Sequence, residues 1–252
     1  NFEANEANVL KRLFAKLWMK SLVGQLKRLD QLVVLTEKSK ASWPELSNVT
    51  VIPDPIPIQL ECGMRSVECG VKANRVVTIG RYAYQKGYDL LLQAWAEVEK
   101  QYPDWTLDIY GMGDQTDYRQ LMTNLGIDTE RCHLNGPVKD VAEVYRDGSI
   151  FVLSSRFEGF GLVLVEAMAS GLPVVSFDCP AGPDEIITNE VDGLLAPSGD
   201  VKALAEKIMT LMADEDLRQR LAMQARQTAK QYEMASLAKQ WQRLFETVTN
   251  NR

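Results

Sequence analysis

Glu158 and Glu166, beside a glycine-rich turn, are the residues of this 252-residue sequence whose spacing most clearly suggests chemistry. Glu166 stands within the apolar stretch Leu162 to Ala169, where burying a carboxylate is costly unless it is paired or meets a polar ligand. Gly159 and Gly161, on either side of Phe160, let a ligand approach the backbone closely. Because the N–H groups at a helix start attract anions, the pattern predicts a cradle for phosphate and sugar. Taken alone, it fits a glycine turn with a structural salt bridge equally well.

Two basic residues upstream have the charge that a phosphorylated ligand requires. Arg81, preceded by Gly80, is separated from Lys86 by four residues. An arginine can hold two oxygens at once, and a lysine acts as a point charge. On their own, these two cations would also fit a solvated surface loop.

A parallel sheet would bring these residues to one edge. Short apolar runs predict strands at Val76–Ile79, Leu107–Tyr110, Cys132–Asn135, Ile150–Leu153 and Val174–Phe177. Between them, periodic stretches predict helices at about Tyr88–Tyr102, Gln115–Leu125, near Val141 and at Leu162–Ala169. This alternation predicts an α/β fold with a Rossmann-like, doubly wound parallel sheet, in which ligands bind beyond the carboxyl ends of the strands.

The rest of the chain carries further predicted elements. Asp200 and Asp214 are predicted to cap helices that end near Met212 and Tyr232, and a last helix is predicted at Ala235–Val248. Residues 2–29 predict a basic amphipathic helix, which either lies on an anionic membrane surface or covers a sheet; we favour the second interpretation.

Residues 155–166, Ser-Arg-Phe-Glu-Gly-Phe-Gly-Leu-Val-Leu-Val-Glu, resemble the signature of the retaining glycosyltransferases of family 4, which have the GT-B fold. The Gly-Arg pair that precedes Lys86-Gly87 by four residues resembles the diphosphate clamp of the same family. The resemblance implies that the sheet is the donor-binding half of a GT-B enzyme. It also implies sugar transfer from a nucleotide donor, UDP- or GDP-linked, with retention and without a metal or other cofactor.

The resemblance also implies a role for each matching residue. Arg81, Lys86 and Glu158 would be the catalytic residues, with Glu158 holding hydroxyls of the donor sugar and Glu166 those of the ribose. The backbone of Gly161 and Leu162 would bind the phosphates, and Gly111, Gly113 and Val138 would hold the nucleotide and its base. The donor-binding set is completed by Gly80, Ser155, Gly159 and Phe160.

The same resemblance implies a division of the chain. Residues 1–53 would be the tail of an N-terminal GT-B domain that is mostly missing and that would bind a sugar or glycolipid acceptor. Residues 54–74 would be a linker, with Asp54 where the family commonly has asparagine. Residues 75–231 would form the donor-binding domain, and residues 232–252 a helix that packs back toward the N-terminal domain.

Composition excludes several other classes of function. A formal net charge of −6 speaks against nucleic-acid binding, which needs a dense basic face. Four scattered cysteines and a single histidine, His133, do not have the spacing of a zinc site. Cys62 and Cys69 could form a disulfide with each other, but free thiols are the expected state. The expected location is the cytoplasm, either at the inner face of the membrane or away from it.

The acidic run Asp214-Glu215-Asp216 resembles the metal motif of another glycosyltransferase class, although its place at a helix start favours capping. The function predicted is that of a glycosyltransferase fragment acting in polysaccharide or glycolipid biosynthesis. The alternatives are a nucleotide-sugar-binding or interaction module without transfer activity and a sugar-nucleotide epimerase on the same architecture.

Overall fold

The structure is a computed structural model that describes residues 9–56 and 74–250. Contacts divide the chain into a smaller unit, residues 1–53 with 238–252, and a larger unit, residues 54–237. Cys62, Cys69 and most of the predicted linker lie outside the described residues, as do the first eight residues of the chain.

The smaller unit contains a two-stranded parallel sheet. Its elements in residues 9–53 are α1 (Val9–Leu26), β1 (Leu32–Val34), α2 (Glu37–Ala41) and β2 (Val49–Val51). Ile52, at the end of β2, is buried, whereas Phe14, Leu17 and Trp18 of α1 are exposed by 72%, 61% and 49%. Among the described residues, no helix combines the length and the apolar character that crossing a membrane requires.

The larger unit contains a six-stranded sheet in which every pair of neighbours is parallel. The strands are β3 (Arg75–Ile79), β4 (Thr106–Tyr110), β5 (Cys132–Asn135), β6 (Ile150–Leu153), β7 (Val174–Asp178) and β8 (Leu194–Pro197). The first five confirm the predicted strands to within one residue at each end. The sixth was not predicted, because its four residues are only partly buried and end in a proline, which sheets tolerate at an edge.

The order of the strands is β5-β4-β3-β6-β7-β8, which is the order of a doubly wound Rossmann-like sheet. The chain runs outward from β3 to one edge, returns to the centre at β6 and then runs to the other edge. In such sheets the crevice lies where the order reverses, between the two central strands. Val76 of β3 pairs with Ile150 of β6, so the turns that follow these strands are neighbours.

Helices connect the strands and cover the sheet. They are α3 (Tyr88–Gln101), α4 (Thr116–Leu125), α5 (Val141–Asp147), α6 (Leu162–Ala169), α7 (Pro183–Ile186), α8 (Val201–Ala213) and α9 (Glu215–Ala229). The last helix, α10 (Met234–Asn250), belongs mostly to the smaller unit. Asp200 and Asp214 cap α8 and α9 as predicted, each accepting a hydrogen bond from a backbone N–H three residues on. The second of these helices ends at Ala229 and is followed by a 3-10 turn that reaches Tyr232.

The core of the larger unit lies on both faces of the sheet. Val76, Val152 and Val175 point into a cluster with Trp95 of α3 and Leu204 of α8. The alternate residues of the central strands are buried as well, as the predicted burial of Ile150 to Leu153 requires. Burial on both faces fixes the register of the central strands, and the register fixes where their carboxyl ends lie.

Candidate functional site

An ion pair lies at the point where the strand order reverses. Lys86, in the turn after β3, donates from Nζ to Oε1 of Glu158, in the turn after β6, at 2.7 Å. The hydroxyl of Ser155 donates to the same oxygen at 2.6 Å. The side chains of Lys86 and Glu158 are only 14% and 8% exposed. The structure therefore brings together three of the predicted site residues, which come from two different strands.

Arg156 links the turn after β6 to the turn after β3 and to the start of α3. Its guanidinium makes a two-pronged ion pair with Asp89 of α3, at 2.8 and 2.6 Å, and lies 4.1 Å from the ring centre of Tyr84. Its backbone N–H donates to the carbonyl of Gln85, while the Gln85 side chain donates to the carbonyl of Phe157. Burial raises the pKa of Asp89, but the hydrogen bonds and the charge of Arg156, together with backbone hydrogen bonds, outweigh it, so the pKa of this carboxyl is lowered overall.

We did not predict this role of Arg156 from the sequence. Its position inside the signature was a signal, but its partner is 67 residues away and could not be inferred from spacing.

A glycine is required at position 87 because the turns after β3 and β6 approach each other closely there. Its φ is +61°, and a Cβ atom at this position would lie 2.1 Å from the carbonyl oxygen of Ser154. The hydroxyl of Ser154 in turn donates to the carbonyl of Lys86 at 2.9 Å. Lys86 is therefore held by its backbone as well as by its side chain.

Arg81 lies in the same turn after β3 as Lys86 and is exposed. The next residue, Tyr82, donates its backbone N–H to Met112 in the turn after β4. A Cβ atom on Gly111 would lie 1.7 Å from the carbonyl oxygen of Gly80. These two predicted site glycines thus have a packing role that needs no ligand, since the turns after β3 and β4 touch there.

Two other predicted residues lie at the same carboxyl edge. Gly113 has a φ of +133°, with the carbonyl oxygen of Tyr82 2.8 Å from where its Cβ would stand. Val138 is half-buried in the loop after β5.

The start of α6 offers backbone donors to an anion. Gly161 precedes the helix with a φ of +100°, and no side chain caps it. The first N–H groups of a helix have no partner within it, so those of α6 are available to a ligand. The ring of Phe160 packs on Tyr232 with ring centres 5.4 Å apart, which leaves only the backbone of Phe160 for a ligand.

Glu166 has its own partner. Its Oε2 accepts a hydrogen bond of 2.7 Å from the hydroxyl of Tyr145, which lies on α5 and is fully buried. Burial raises the pKa of Glu166, and the hydrogen bond from Tyr145 opposes that rise. Among the described residues, Glu166 makes no hydrogen bond or ion pair with Arg81, Lys86 or Glu158. The sequence predicted that Glu166 must be paired or reach a ligand, but not that Tyr145 pairs with it.

The titratable groups in the described part of the chain are not arranged as a metal site. Within residues 9–56 and 74–250, no group of three or more His, Cys, Asp or Glu side chains is placed to hold a metal. His133 lies in β5 with its Nδ1 3.0 Å from Asp108, which also accepts from Arg75 at 2.6 Å. Cys179, buried after β7, has its pKa raised to about 12 by burial and by the nearby Glu158.

Comparisons with known proteins show the family of the chain and its fold. Residues 65–228 match the family of glycosyl transferases group 1. The chain is 35% identical over 232 residues to an exopolysaccharide phosphotransferase of Streptomyces coelicolor, with 89% of this chain and 24% of that protein covered. It is 32% identical over 218 residues to the amylovoran biosynthesis glycosyltransferase AmsD of Erwinia amylovora, with 84% and 61% covered.

The solved structures that resemble this chain are glycosyltransferases of the GT-B fold. One is the pneumococcal O-GlcNAc transferase GtfA in complex with UDP and GlcNAc. It is 26% identical, has a TM-score of 0.78, and the match covers 92% of this chain and 48% of that one. The chain spans 24% and 61% of the length of the two curated relatives given above.

Proposed function

Since the chain belongs to the family of group 1 glycosyl transferases, we propose that its larger unit binds a nucleotide sugar linked through UDP or GDP. The observation that carries this proposal is the meeting of Lys86, Ser155 and Glu158 where the strand order reverses. A relative that acts in amylovoran biosynthesis and another that was solved with UDP and GlcNAc support the same class of ligand.

The diphosphate would lie over the ends of β3 and β6. Lys86 and Arg81 supply the positive charge, and the backbone N–H groups at Gly161 and Leu162 supply further donors. Glu158, next to Lys86, would accept hydrogen bonds from the hydroxyls of the donor sugar. Since its Oε1 already accepts from Lys86 and Ser155, a phosphate that draws Lys86 away also frees this oxygen for the sugar.

The nucleoside would extend along the same edge of the sheet. Glu166 would accept from the ribose hydroxyls, and the turn at Gly111 and Gly113 and the loop at Val138 would hold the base. No metal is required in this scheme, because two cations and a helix start meet the charge of the diphosphate.

Catalysis would come from stabilising the charge that builds on the diphosphate as the bond between the anomeric carbon and its phosphate oxygen breaks. Each fixed donor aimed at that charge accelerates the step by roughly a hundredfold to a thousandfold. We further propose that the protein is a family 4 enzyme that retains the anomeric configuration, with the acceptor hydroxyl attacking from the side that the phosphate leaves. The acceptor would be a growing polysaccharide or a glycolipid, bound by the rest of a longer protein.

Calorimetric titration of the 252-residue chain with UDP, GDP and UDP-sugars, in the presence of EDTA, tests donor binding. We expect binding of at least one nucleotide, and about tenfold or greater weakening by Lys86→Ala and by Arg81→Ala, since a hydrogen bond to a charged group contributes about 1.5–3 kcal/mol.

Lys100→Ala is the matched control, since Lys100 is an exposed lysine near the far end of α3 whose partner is Glu97. It should leave the Kd unchanged. Absence of binding for every nucleotide, or equal weakening by Lys86→Ala and Lys100→Ala, contradicts the proposal. For retention, the measurement is the anomeric configuration of the product made by the full-length protein, read by NMR.

A further inference from the structure

We propose that Tyr145 is a positioning residue that gives the site its preference for ribonucleotides, by holding one oxygen of Glu166 and turning the other toward the ribose. This inference rests on the proposed function, because it concerns the same nucleotide site. It adds a residue from α5, an element that contributes nothing else to that site.

The contact joins two side chains that have little freedom to move. Tyr145 is fully buried, and its ring packs edge-on against Phe151 with ring centres 5.8 Å apart. Glu166 is 7% exposed and sits in the second turn of α6, whose neighbours Val165 and Ala167 are fully buried. The hydrogen bond of 2.7 Å therefore links two rigid positions, so the carboxylate has a defined orientation before any ligand arrives.

The two oxygens of Glu166 are not equivalent. Oε2 accepts from Tyr145, whereas Oε1 accepts from no residue in the described part of the chain. Oε1 is not one of the fully buried polar atoms that lack a partner, so a ligand hydroxyl can reach this oxygen and donate to it. Adjacent hydroxyls, as on a ribose, are the donors that suit one free carboxylate oxygen.

Removal of the Tyr145 hydroxyl would leave the carboxylate short of a donor. Burial already raises the pKa of Glu166, and the Tyr145 hydrogen bond is what counteracts that rise. Without it, the carboxylate would rotate or take up a proton, and a protonated group is a poorer acceptor for ribose hydroxyls. A merely structural tyrosine would change the stability of the fold but not the discrimination between two ligands that differ by one hydroxyl.

The experiment compares UDP with 2′-deoxy-UDP, and GDP with 2′-deoxy-GDP, by calorimetric titration of the 252-residue chain. The wild-type protein should prefer the ribonucleotide by roughly tenfold or more, the effect of one hydrogen bond to a charged acceptor. In Tyr145→Phe, the ribonucleotide should bind roughly tenfold less tightly and the deoxynucleotide nearly as before, so that the preference disappears. Tyr102→Phe makes the same chemical change just beyond the end of α3 and should keep the preference.

A double-mutant comparison tests whether Tyr145 acts through Glu166. In a Glu166→Gln background, adding Tyr145→Phe should change the Kd for UDP by less than about twofold. If Tyr145→Phe does not fold, Glu166→Asp withdraws the carboxylate from Tyr145 and should also remove the preference.

A preference that persists in Tyr145→Phe, or in Glu166→Asp where that variant replaces it, overturns the inference while leaving the proposed function intact. A further loss of about tenfold in the Glu166→Gln background overturns it as well. Failure of the wild-type chain to bind any of the four nucleotides overturns both.

Discussion

Lys86 and Glu158 neutralise each other at the place where each is proposed to meet a different part of one ligand. Both side chains are largely buried, so removing one charge leaves the other without a partner in a poorly solvated position. A diphosphate can replace the carboxylate as partner of the lysine. In the proposed scheme, the ion pair would thus link phosphate binding to the release of Glu158, the carboxylate proposed to hold the sugar.

Glu158→Gln tests this link. The variant should unfold at a lower temperature, by about 4–8 °C for a loss of about 2 kcal/mol, because Lys86 loses its counter-charge. UDP should raise the Tm of the variant more than that of the wild-type protein, since the diphosphate replaces the missing charge. Thermal unfolding with and without UDP measures both effects.

Glu97→Gln is the control for that change. Its pair with Lys100 is exposed on both sides, so neither the Tm nor the UDP-induced shift should change. An equal or smaller UDP-induced shift in Glu158→Gln than in the wild-type protein would show that the ion pair does not compete with the ligand.

Because the pKa of Glu166 is raised in the folded protein, this residue makes the stability of the fold depend on pH. A carboxyl whose pKa is higher in the folded than in the unfolded state binds protons more readily when folded, so its presence lowers stability as pH rises above about 4.5. Glu166→Gln removes this penalty and leaves an oxygen to accept from Tyr145. We expect its Tm relative to wild type to increase as the pH is raised from about 4.5 to about 7.5.

Thermal scans at several pH values check that expectation, with Glu206→Gln as an exposed control on α8 that should show no trend. A difference between Glu166→Gln and the wild-type protein that stays constant with pH, or falls, would show that burial of this carboxylate does not destabilise the fold. If the expected trend is found, the site retains a carboxylate at the expense of stability, as binding sites often do.

At the scale of the elements, the turns after the strands contain two kinds of glycine. Gly111 touches the neighbouring turn so closely that a Cβ atom would overlap the carbonyl oxygen of Gly80. Gly159 has no atom within 4 Å of its Cβ position and no positive φ, so nothing in the fold itself requires a glycine there. Both glycines were predicted as site residues, and only the structure separates the two kinds.

Gly111→Ala should therefore lower the Tm by about 5 °C or more, because backbone atoms must move to admit the methyl group. Gly159→Ala should leave the Tm within about 1 °C of wild type but weaken UDP binding, if the ligand approaches the backbone there. Thermal unfolding and titration of both variants separate the two roles. A stable Gly111→Ala, or a Gly159→Ala that binds UDP as the wild type does, contradicts the respective assignment.

The sequence predicted five of the six strands of the larger sheet and the caps of α8 and α9, because these depend on local signals: apolar runs and an aspartate before a helix. It did not predict the ion pair of Arg156 with Asp89 or the contact of Tyr145 with Glu166, because each joins elements that only the folded sheet brings together. The edge strand β8 was missed since four residues that end in a proline give little periodic pattern. The roles of all the predicted site residues toward a ligand, Lys86 and Glu158 included, stay predictions.

At the scale of the whole molecule, every candidate site residue belongs to the larger unit, residues 54–237. Within it, the residues come from the turns after β3, β4, β5 and β6 and from α6, all at the carboxyl edge of one sheet. One elongated ligand could therefore contact segments that are up to 86 residues apart in sequence, from Gly80 to Glu166. The smaller unit contributes none of the residues assigned to the donor.

Hydrogen exchange measured by mass spectrometry should show nucleotide-dependent protection in the same segments of the larger unit. With UDP at a hundred times its Kd, only about 1% of the protein is free, so amides that exchange only from the free form should slow by up to roughly a hundredfold. Protection should fall on peptides that cover residues 80–87, 111–113 and 155–166. Peptides from α1 to β2 should exchange as they do without nucleotide.

Lys86→Ala, with its Kd raised about tenfold, should cut the protection at the same UDP concentration from roughly a hundredfold to roughly tenfold, whereas Lys100→Ala should preserve it. Protection confined to the smaller unit, or to one of the three segments alone, would place the nucleotide elsewhere, because a donor held across the centre of the sheet must slow exchange in all three. Slowing in all three segments follows from the order of the strands. The turns after β3 and β6 are neighbours because the chain, after building one half of the sheet, returns to its centre.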